Sequence, residues 1–313
     1  MKLQQLRYVV EVARRNLNVS DAAEALFTSQ PGVSKQIKLL EEELGAVIFE
    51  RNAKRFVALT EPGQAVVEIA KRILQDADNL KRVGADFAGG DSGTLSIAAT
   101  HTQARYALPE VVKAFVERYP RVQLNFHQGN PTQIADWLVS GDADIAIATE
   151  SLDQYPDIVA MPCMQWSHCV IAPAGHPILD KPLTLQELAR FPLVTYDTAF
   201  AGRSKINRAF ERAGLMPKVV LAAIDSDVIK TYVGMGLGLG IIARMAFDEQ
   251  RDQPLVAIDA SHLIESNTTK IGVRRNTSLR RFEFDFIQLF APQLDRRVVE
   301  AAMAGGHDGG DGL

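Results

Sequence analysis

The chain has few cysteines, no excess of charge of one sign and no long uninterrupted apolar segment, and each of these features excludes a class of protein. Two cysteines among 313 residues cannot form a disulfide framework, which favours a reducing compartment. No charge of one sign dominates, because 34 Lys and Arg face 38 Asp and Glu, so DNA contact requires a local basic patch. The longest segment without Asp, Glu, Lys or Arg spans residues 158–179, but its prolines exclude a transmembrane helix. Arg7 and Glu11 interrupt the apolar stretch that a secretory signal needs, so we expect a cytoplasmic protein without membrane contact.

Enzyme and cofactor signatures are missing as well. The chain contains no GxSxG, Walker or metal-binding helix motif, and the glycine-rich run at residues 234–240 lacks the third glycine of a dinucleotide site. Cys163, His168 and Cys169 lie close in sequence, but they lack a fourth ligand and fit no zinc spacing, so buried structural thiols are the favoured interpretation. We therefore expect no enzymatic activity, no cofactor and no metal.

The composition that remains is that of a globular protein, with 47% apolar and 23% charged residues in a length that suits two domains. Within residues 1–60, capping signals predict short helices. A second helix begins near Asn18 or Ser20, and a third begins near Thr28 or Ser29 and ends at Gly45. Two helices joined by a tight turn are typical of a helix-turn-helix.

The third helix has two different faces. Val33, Ile37, Leu40 and Leu44 recur at helical spacing, which predicts a buried stripe. The opposite ridge is polar and partly cationic, with no acidic residue before Glu41, as in a helix that enters the major groove. A merely solvated helix face is the alternative. The residues predicted to contact DNA from this ridge are Ser29, Gln30, Pro31, Ser34, Lys35 and Lys38.

A basic hairpin is predicted to follow. Residues 47–51 and 56–59 alternate like two strands, and the turn between them carries Arg51, Lys54 and Arg55. Such a wing suits contact with phosphates, which position a protein on DNA. Double-stranded DNA is therefore the predicted partner, with an incidental three-helix bundle as the alternative.

Residues 61–83 are predicted to form a long helix whose apolar residues recur with a 3.5-residue period. Such a seam favours a partner helix and hence a dimer, although packing on its own domain is the alternative. Four glycines in residues 84–93 indicate a hinge. The residues of the seam are Val66, Ala70, Ile73, Ala77 and Leu80.

The rest of the chain, residues 94–290, alternates short apolar runs with helical segments. This pattern predicts an α/β fold with parallel strands and helices on both faces, large enough for two subdomains with a cleft between them. The last residues, 304–313, contain five glycines and are predicted to be disordered. The predicted strands are residues 95–99, 123–127, 144–148, 168–172, 193–196, 219–224 and 240–243.

The order of these elements resembles that of LysR-type transcriptional regulators over nearly the whole chain. The α/β part of the chain, called here the sensor, further resembles the cysteine-regulon activator (CysB-like) subgroup. The matching segments are Thr100 to Tyr106, His127 to Gly129 and Asp227 to Val233. The N-terminal residues that carry the resemblance are Ala22, Ala23, Thr28, Ser29, Gln30, Pro31, Ser34, Ile37, Leu40, Glu41, Leu44, Gly45, Phe49, Arg51, Leu59, Thr60, Pro62 and Gly63.

This resemblance implies the fold, the partners and the domain limits. It implies a winged helix-turn-helix at 1–60, a linker helix and hinge at 61–87, and a type-2 periplasmic-binding-protein-like effector domain at 88–291. Its subdomain I would comprise 88–163 and 268–291, its subdomain II 164–267, and 292–313 would be a tail.

The subgroup further implies a homotetramer, contact with RNA polymerase at activated promoters, and control of sulfur-assimilation and cysteine-biosynthesis genes. The implied effectors are N-acetylserine, O-acetylserine, sulfate or thiosulfate. Regulation of another sulfur source, such as a sulfonate, is the alternative. A small-anion enzyme or transport-type binding protein fused to a helical module is a further one.

An anion pocket is predicted where the first sensor strand ends. Thr100, Thr102 and Gln103 follow that strand and precede a helix, so uncharged donors converge there, although turn-forming threonines are the alternative. The subgroup pattern adds Gly129, Thr149 and Trp166, together with Ala201 and Gly202 from across the cleft. The subgroup commonly has Thr where this chain has Ala201, so Gly202 N–H or Thr198 is expected to replace the lost hydroxyl.

Overall fold

The computed structural model describes residues 1–52, 55–87, 91–149 and 152–305, without the side chains of residues 85–87 and 201. The chain divides into two units, Met1–Ala88 and Gly89–Leu313. Among the described residues, no helix combines the length and the apolar composition that a bilayer crossing requires.

The N-terminal unit is a helix-turn-helix with a hairpin and a long helix. Asn18 accepts hydrogen bonds from two backbone N–H groups and caps the second helix, and Ser29 Oγ accepts one from Gly32 N and caps the third. Gly45, with φ +65°, ends the third helix as predicted. The elements are α1 (Leu3–Arg14), α2 (Val19–Ala25), α3 (Gln30–Leu44), β1 (Phe49–Asn52), β2 (Arg55–Leu59) and α4 (Glu61–Phe87).

Most of the predicted stripe of α3 lies in the core of this unit. Val33, Ile37 and Leu40 are fully buried, packed against α1 and α2. Leu44 is 43% exposed, so its predicted burial is wrong. It lies in the last turn, where α3 extends beyond the helices that cover its earlier turns.

The apolar seam of α4 is divided between two environments. Of the seam residues, Ala70 is buried in the N-terminal core, where α4 packs against α1, and Val66 and Ile73 are partly buried there. The predicted partner-helix seam is therefore wrong for its first half, which packs on its own unit. Leu80 is 75% exposed, so the distal part of the seam remains open to a partner. Gly84, predicted to begin a hinge, lies within α4, and residues 88–90 of that segment lie outside the described residues.

The second unit contains two five-stranded sheets, each covered by helices. Its strands are β3 (Ser92–Ala99), β4 (Arg121–Gln128), β5 (Ile145–Ala148), β6 (Ile158–Trp166), β7 (His168–Pro173), β8 (Leu193–Tyr196), β9 (Val219–Ala223), β10 (Leu239–Ala243), β11 (Leu255–Asp259) and β12 (Asn267–Arg274). Its helices are α5 (Pro109–Arg118), α6 (Pro131–Ser140), α7 (Leu185–Leu188), α8 (Ala201–Arg212), α9 (Ser226–Gly234), α10 (Arg281–Phe290) and α11 (Arg296–Ala304).

Both sheets are mixed rather than parallel. The first has the order β4-β3-β5-β12-β6, and β12 runs antiparallel to both of its neighbours. The second has the order β11-β7-β10-β8-β9, and β7 runs antiparallel to both of its neighbours. The expectation of parallel sheets is therefore wrong for β7 and β12, the first strand after each passage between the sheets, because each runs against the other strands of its sheet.

The chain passes between the sheets twice, at Ser167 and between β11 and β12. Strand β6 stays in the first sheet through Trp166, three residues beyond the expected limit of subdomain I. Beyond residue 291, α11 packs against the core of the first sheet through the fully buried Val299, so the part of the expected tail up to Ala304 belongs to this unit. Residues 306–313, predicted to be disordered, lie outside the described residues.

A charged cluster, called here the latch, joins the two subdomains. Arg105 Nε lies 2.6 Å from Asp227 Oδ2, and the Tyr106 hydroxyl donates to Asp227 Oδ1 at 2.7 Å. Lys230 Nζ donates to the Tyr106 hydroxyl at 2.9 Å and to Asp252 at 3.0 Å. Burial opposes ionisation of Asp227, but hydrogen bonds from Tyr106 and Lys230 lower its pKa overall. Tyr106, from the first subdomain, thus bonds both members of the Lys230–Asp227 ion pair on α9 of the second, whose charged atoms lie 3.2 Å apart.

Replacing Tyr106 by Phe is expected to lower the free energy of unfolding of the second unit by about 1.5 to 3 kcal/mol, because the hydroxyl bonds two charged groups. Denaturation in urea measures the change, with Tyr232→Phe as the control because that ring is partly exposed. Since the pKa of Asp227 is lowered, its stabilisation is present above its ordinary pKa of 3.8 and is lost as the pH falls below that value. An equal effect at pH 7 and pH 3 would contradict the role of the charge.

Replacing Gly63 by Ala is expected to destabilise the N-terminal unit by about 2 to 3 kcal/mol. A Cβ atom there would lie 2.0 Å from the backbone oxygen of Ile48, which a side-chain rotation cannot relieve. Gly84→Ala is the matched control within the same helix. A Cβ at Gly84 has no neighbouring atom within 4 Å, so this change is expected to stabilise the helix by up to about 1 kcal/mol. Thermal unfolding of both variants measures the difference, and equal melting temperatures would refute the steric explanation.

Candidate functional site

The polar ridge of α3 is open to solvent. Gln30, Pro31, Lys35 and Lys38 are exposed, and Ser34 is half-buried. Gln30 Nε2 donates weakly to Ser34 Oγ at 3.4 Å, and Lys38 Nζ lies 3.6 Å from Glu42. The structure therefore brings the predicted residues of this ridge onto one exposed surface, whereas the hydroxyl of Ser29 is engaged as the helix cap.

The hairpin is fixed to α3 by a residue that the sequence analysis assigned no role. Glu41 Oε1 accepts hydrogen bonds from Ile48 N at 2.9 Å and Phe49 N at 3.2 Å, and its other oxygen pairs with Arg51. Arg51 also stacks on Phe56, so its charge is partly engaged within the unit. Arg55 is exposed at the start of β2, whereas Lys54 lies outside the described residues.

In the second unit, the residues after β3 lie at the end of the first sheet next to the second subdomain. Gln103 is 1% exposed, and its Nε2 donates to Thr269 Oγ1 at 2.9 Å. Thr100 is buried, and the Thr102 hydroxyl lies near enough to Tyr196 to lower the pKa of that phenol slightly. The helix expected after these residues is present: residues 101–107 are helical, with Gln103–Ala107 as a π-helix, and Ala104 N donates to Thr100 O at 3.0 Å.

Trp166 and Gly202 bring the two sides of this cleft together. Trp166 Nε1 donates to Thr149 Oγ1 at 3.4 Å. A Cβ on Gly202 would lie 3.3 Å from His168 Nε2 and 3.4 Å from Trp166 Cη2, so glycine permits this close approach. Thr149 and Trp166, predicted for the effector site, thus lie together with Gly202 between the two sheets.

Two further predicted residues are less directly tied to the cleft. Gly129 follows β4, and a Cβ there would lie 2.7 Å from the Trp137 ring, so its size is required by packing against α6. Ala201 begins α8 beside Gly202, and its side chain lies outside the described part of the chain.

Sequence reasoning missed two buried polar residues of the cleft. Burial raises the pKa of Tyr196 to about 12, and its hydroxyl bonds Ser226 Oγ at 2.7 Å and accepts from Ala243 N at 2.8 Å. His168 is fully buried, and burial together with the nearby charge of Lys205 lowers its pKa to about 4, so the ring is neutral at neutral pH. Each lies within or beside an apolar strand, so the hydrophobic pattern concealed it.

The two cysteines do not form a metal-binding group with His168. Burial raises the pKa of both Cys163 and Cys169 to about 12, so neither is a thiolate at neutral pH. Cys163 Sγ donates to the backbone oxygen of Thr269 at 3.1 Å. Both are free thiols whose role in this structure is packing.

Two curated relatives from Burkholderia cenocepacia align along almost the whole chain. The HTH-type transcriptional regulator SsuR is 53% identical over 306 residues, covering 97% of this chain and 98% of the relative. The HTH-type transcriptional regulator CysB is 51% identical over the same coverage of both chains.

A solved structure matches the second unit. The cofactor-binding domain of the Cbl transcriptional regulator superposes with a TM-score of 0.66 at 45% identity, covering 68% of this chain and 93% of that chain. Residues 3–64 match the family described as bacterial regulatory helix-turn-helix protein, lysR family. Residues 88–295 match the family described as LysR substrate binding domain. The chain therefore belongs to the LysR family of transcriptional regulators.

Proposed function

We propose that this regulator reads double-stranded DNA with α3 and the hairpin β1–β2. The exposed, largely uncharged N-terminal end of α3 supports base contact through Gln30 and Ser34. The cations Lys35, Lys38 and Arg55 then contact phosphates. Arg51 has a smaller part, since Glu41 neutralises it, and Ser29 acts by capping α3. Lys54 and Pro31 complete the proposed surface.

The second unit, in this proposal, binds a small anionic effector between its subdomains. The observation that carries the proposal is the convergence of uncharged hydrogen-bonding groups from Thr102, Thr149 and Trp166 against the open backbone at Gly202. Neutral donors bind a small carboxylate or sulfur oxyanion without a permanent buried cation. The remaining members of the proposed site are Thr100, Gln103, Gly129 and Ala201.

The proposed targets are genes of sulfur assimilation and cysteine biosynthesis, controlled by N-acetylserine, O-acetylserine, sulfate or thiosulfate. The relative named CysB and the motifs after Thr100 support this pathway. A second candidate is regulation of another sulfur source, such as a sulfonate. The similar identity to SsuR and the presence of Ala201 in place of a hydroxyl favour a changed effector.

We also propose how the chain is assembled and where it acts. DNA binding is assigned to 1–60, dimer contact to 61–87 with the exposed Leu80, and effector binding to the segment from 88, extended to Ala304 by α11. A homotetramer built from dimers would place several α3 helices on one DNA site. It would contact RNA polymerase at activated promoters in the cytoplasm.

The DNA proposal separates base contact from phosphate contact. Gln30→Ala is expected to relax the sequence preference, with about 1 to 3 kcal/mol lost at the base it reads, as measured by selection from a random duplex library. Arg55→Ala is expected to weaken binding to all duplexes alike and to lower the salt slope by about 0.9, as measured by fluorescence anisotropy. Arg121→Ala, an exposed arginine of the second unit, is the control. An unchanged salt slope for Arg55→Ala would remove the hairpin from the interface.

The effector proposal is tested by Thr102→Ala in the full-length protein. Loss of a hydrogen bond to a charged ligand is expected to weaken N-acetylserine or O-acetylserine binding at least about tenfold in calorimetry, while affinity for DNA persists. Thr132→Ala, an exposed threonine on α6, is the matched control and is expected to bind normally. Unchanged affinity in Thr102→Ala would exclude Thr102 from the site.

A further inference from the structure

Behind Trp166 lie three buried polar side chains whose hydrogen-bonding atoms lack partners among the described residues. These side chains belong to Gln103, His168 and Asn267, and none is more than 1% exposed. The unpartnered atoms are Gln103 Oε1, His168 Nδ1, and both the oxygen and the nitrogen of the Asn267 amide, whereas His168 Nε2 faces the backbone of Gly202, which acts on the ring. Buried polar groups are almost always paired, so three such groups together indicate a site rather than a packing detail.

The three side chains belong to one patch. Asn267 is the direct cross-strand partner of Trp166, so their side chains leave the same face of the first sheet. The Trp166 ring lies 5.1 Å from the His168 ring. Gln103 reaches the same strand, since its Nε2 bonds Thr269, two residues along β12 from Asn267 and therefore on the same face. The patch adjoins Thr102, Trp166 and Gly202 of the proposed anion site.

The patch carries no net charge. His168 is neutral at neutral pH, because burial and the charge of Lys205 lower its pKa to about 4, and the two amides do not ionise. Lys205 is committed elsewhere, donating to the backbone oxygen of Ser266. A group that satisfies this patch must both donate and accept hydrogen bonds, which a hydroxyl or a carboxamide does. The ammonium of Lys205 lies close enough to act on His168, but it bonds Ser266, so the three side chains of the patch themselves offer only neutral hydrogen-bonding groups.

We propose that His168 and Asn267 form a neutral subsite that selects effectors carrying a hydroxyl or amide group beside the anionic head. The proposal rests on the proposed function, because the head is held by Thr102, Thr149 and Gly202. Trp166 covers the subsite, so the ligand gains access when the indole leaves Thr149, to which it is bonded at 3.4 Å. An oxyanion without a hydroxyl or amide group binds at Thr102, Thr149 and Gly202 and makes no contact with the subsite.

The test uses four probes that vary the head and the hydroxyl independently. Ethanesulfonate and propionate lack the hydroxyl, whereas 2-hydroxyethanesulfonate and 3-hydroxypropionate carry it. Calorimetry with the full-length protein is expected to give about tenfold tighter binding of the hydroxylated member of at least one pair, because the subsite is built to hydrogen-bond it. Equal affinity within both pairs would overturn the subsite alone. Failure of all four probes would overturn the anion site together with it.

The variant Asn267→Leu tests whether the patch causes the tighter binding of the hydroxylated probes. This variant is expected to reduce the hydroxyl preference to within about twofold while the affinity for the probe without the hydroxyl stays within about threefold. Its melting temperature is expected to rise, because an unpartnered buried amide is replaced by an apolar group of similar size. A retained preference, or a fall in melting temperature with ligand affinities unchanged, would instead identify Asn267 as structural.

His168→Phe supplies a second variant that keeps an aromatic ring against Trp166. It is expected to lose the hydroxyl preference in the same way, so the test does not depend on the folding of Asn267→Leu. Asn125→Leu, at a half-buried site on β4 whose side chain accepts a hydrogen bond from Gln123, is the matched control and is expected to keep the preference. Thr102→Ala weakens both members of a pair alike, which distinguishes failure of the head contact from failure of the subsite.

Discussion

The close approach of Gly202 to the passage between β6 and β7 is the constraint on which the cleft depends. A Cβ atom there would press on His168, Tyr196 and Trp166, at distances tighter than most real Cβ contacts meet. The absence of that atom lets α8 lie against the residues that connect the two sheets. It also leaves the backbone of the first turn of α8 facing Trp166, so the second subdomain offers peptide groups rather than a side chain to a ligand.

Closure of the cleft is distributed over contacts of different chemical kinds. Near the centre, Thr102 approaches Tyr196, and the indole of Trp166 reaches Thr149. At the latch, Tyr106 of the first subdomain bonds both Asp227 and Lys230 of the second, which also pair directly at 3.2 Å. A ligand can replace the central contacts while the latch stays intact. Such a ligand shifts the equilibrium between the open and the closed cleft only if it binds one of these two states more tightly than the other. The free energy of the latch contacts then determines how large the difference in ligand affinity must be to change the populations of the open and closed cleft.

The sequence patterns predicted local structure well where one signal determines it. Caps at Asn18 and Ser29 and the left-handed Gly45 delimit the helices, because a single side chain or φ angle fixes each end. Strands β6, β11 and β12 were not named as strands. Each adjoins a passage between the sheets, and β6 and β12 lack the short, bounded apolar run by which other strands were recognised.

The packing partner of α4 and the set of residues in the cleft depend on long-range contacts, which local sequence patterns do not reveal. The spacing of Val66, Ala70 and Ile73 is the same whether α4 packs on α1 or on a partner, so the period could not choose between them. Thr102 was predicted from its position at the end of a strand, whereas Thr149 and Trp166 came from the subgroup pattern, and in the structure Trp166 Nε1 reaches Thr149 Oγ1. Tyr196 and His168 were missed because one polar residue in an apolar strand gives no periodic signal, and Asn267 because it lies in the polar first half of β12, which was not predicted as a strand. Their meeting depends on strands far apart in the chain.

The uncharged character of the cleft suits a sensor. A permanently buried cation beside the effector would lose solvation in the folded protein whether or not the effector was present, and pairing it would hold the anion tightly. Hydroxyls, an indole N–H and amides cost less to bury and bind an anion more weakly, so occupancy follows the effector concentration. Selectivity must then come from shape and from the pattern of donors and acceptors. The neutral imidazole of His168 and the amide of Asn267 provide such a pattern without adding charge, because each both donates and accepts.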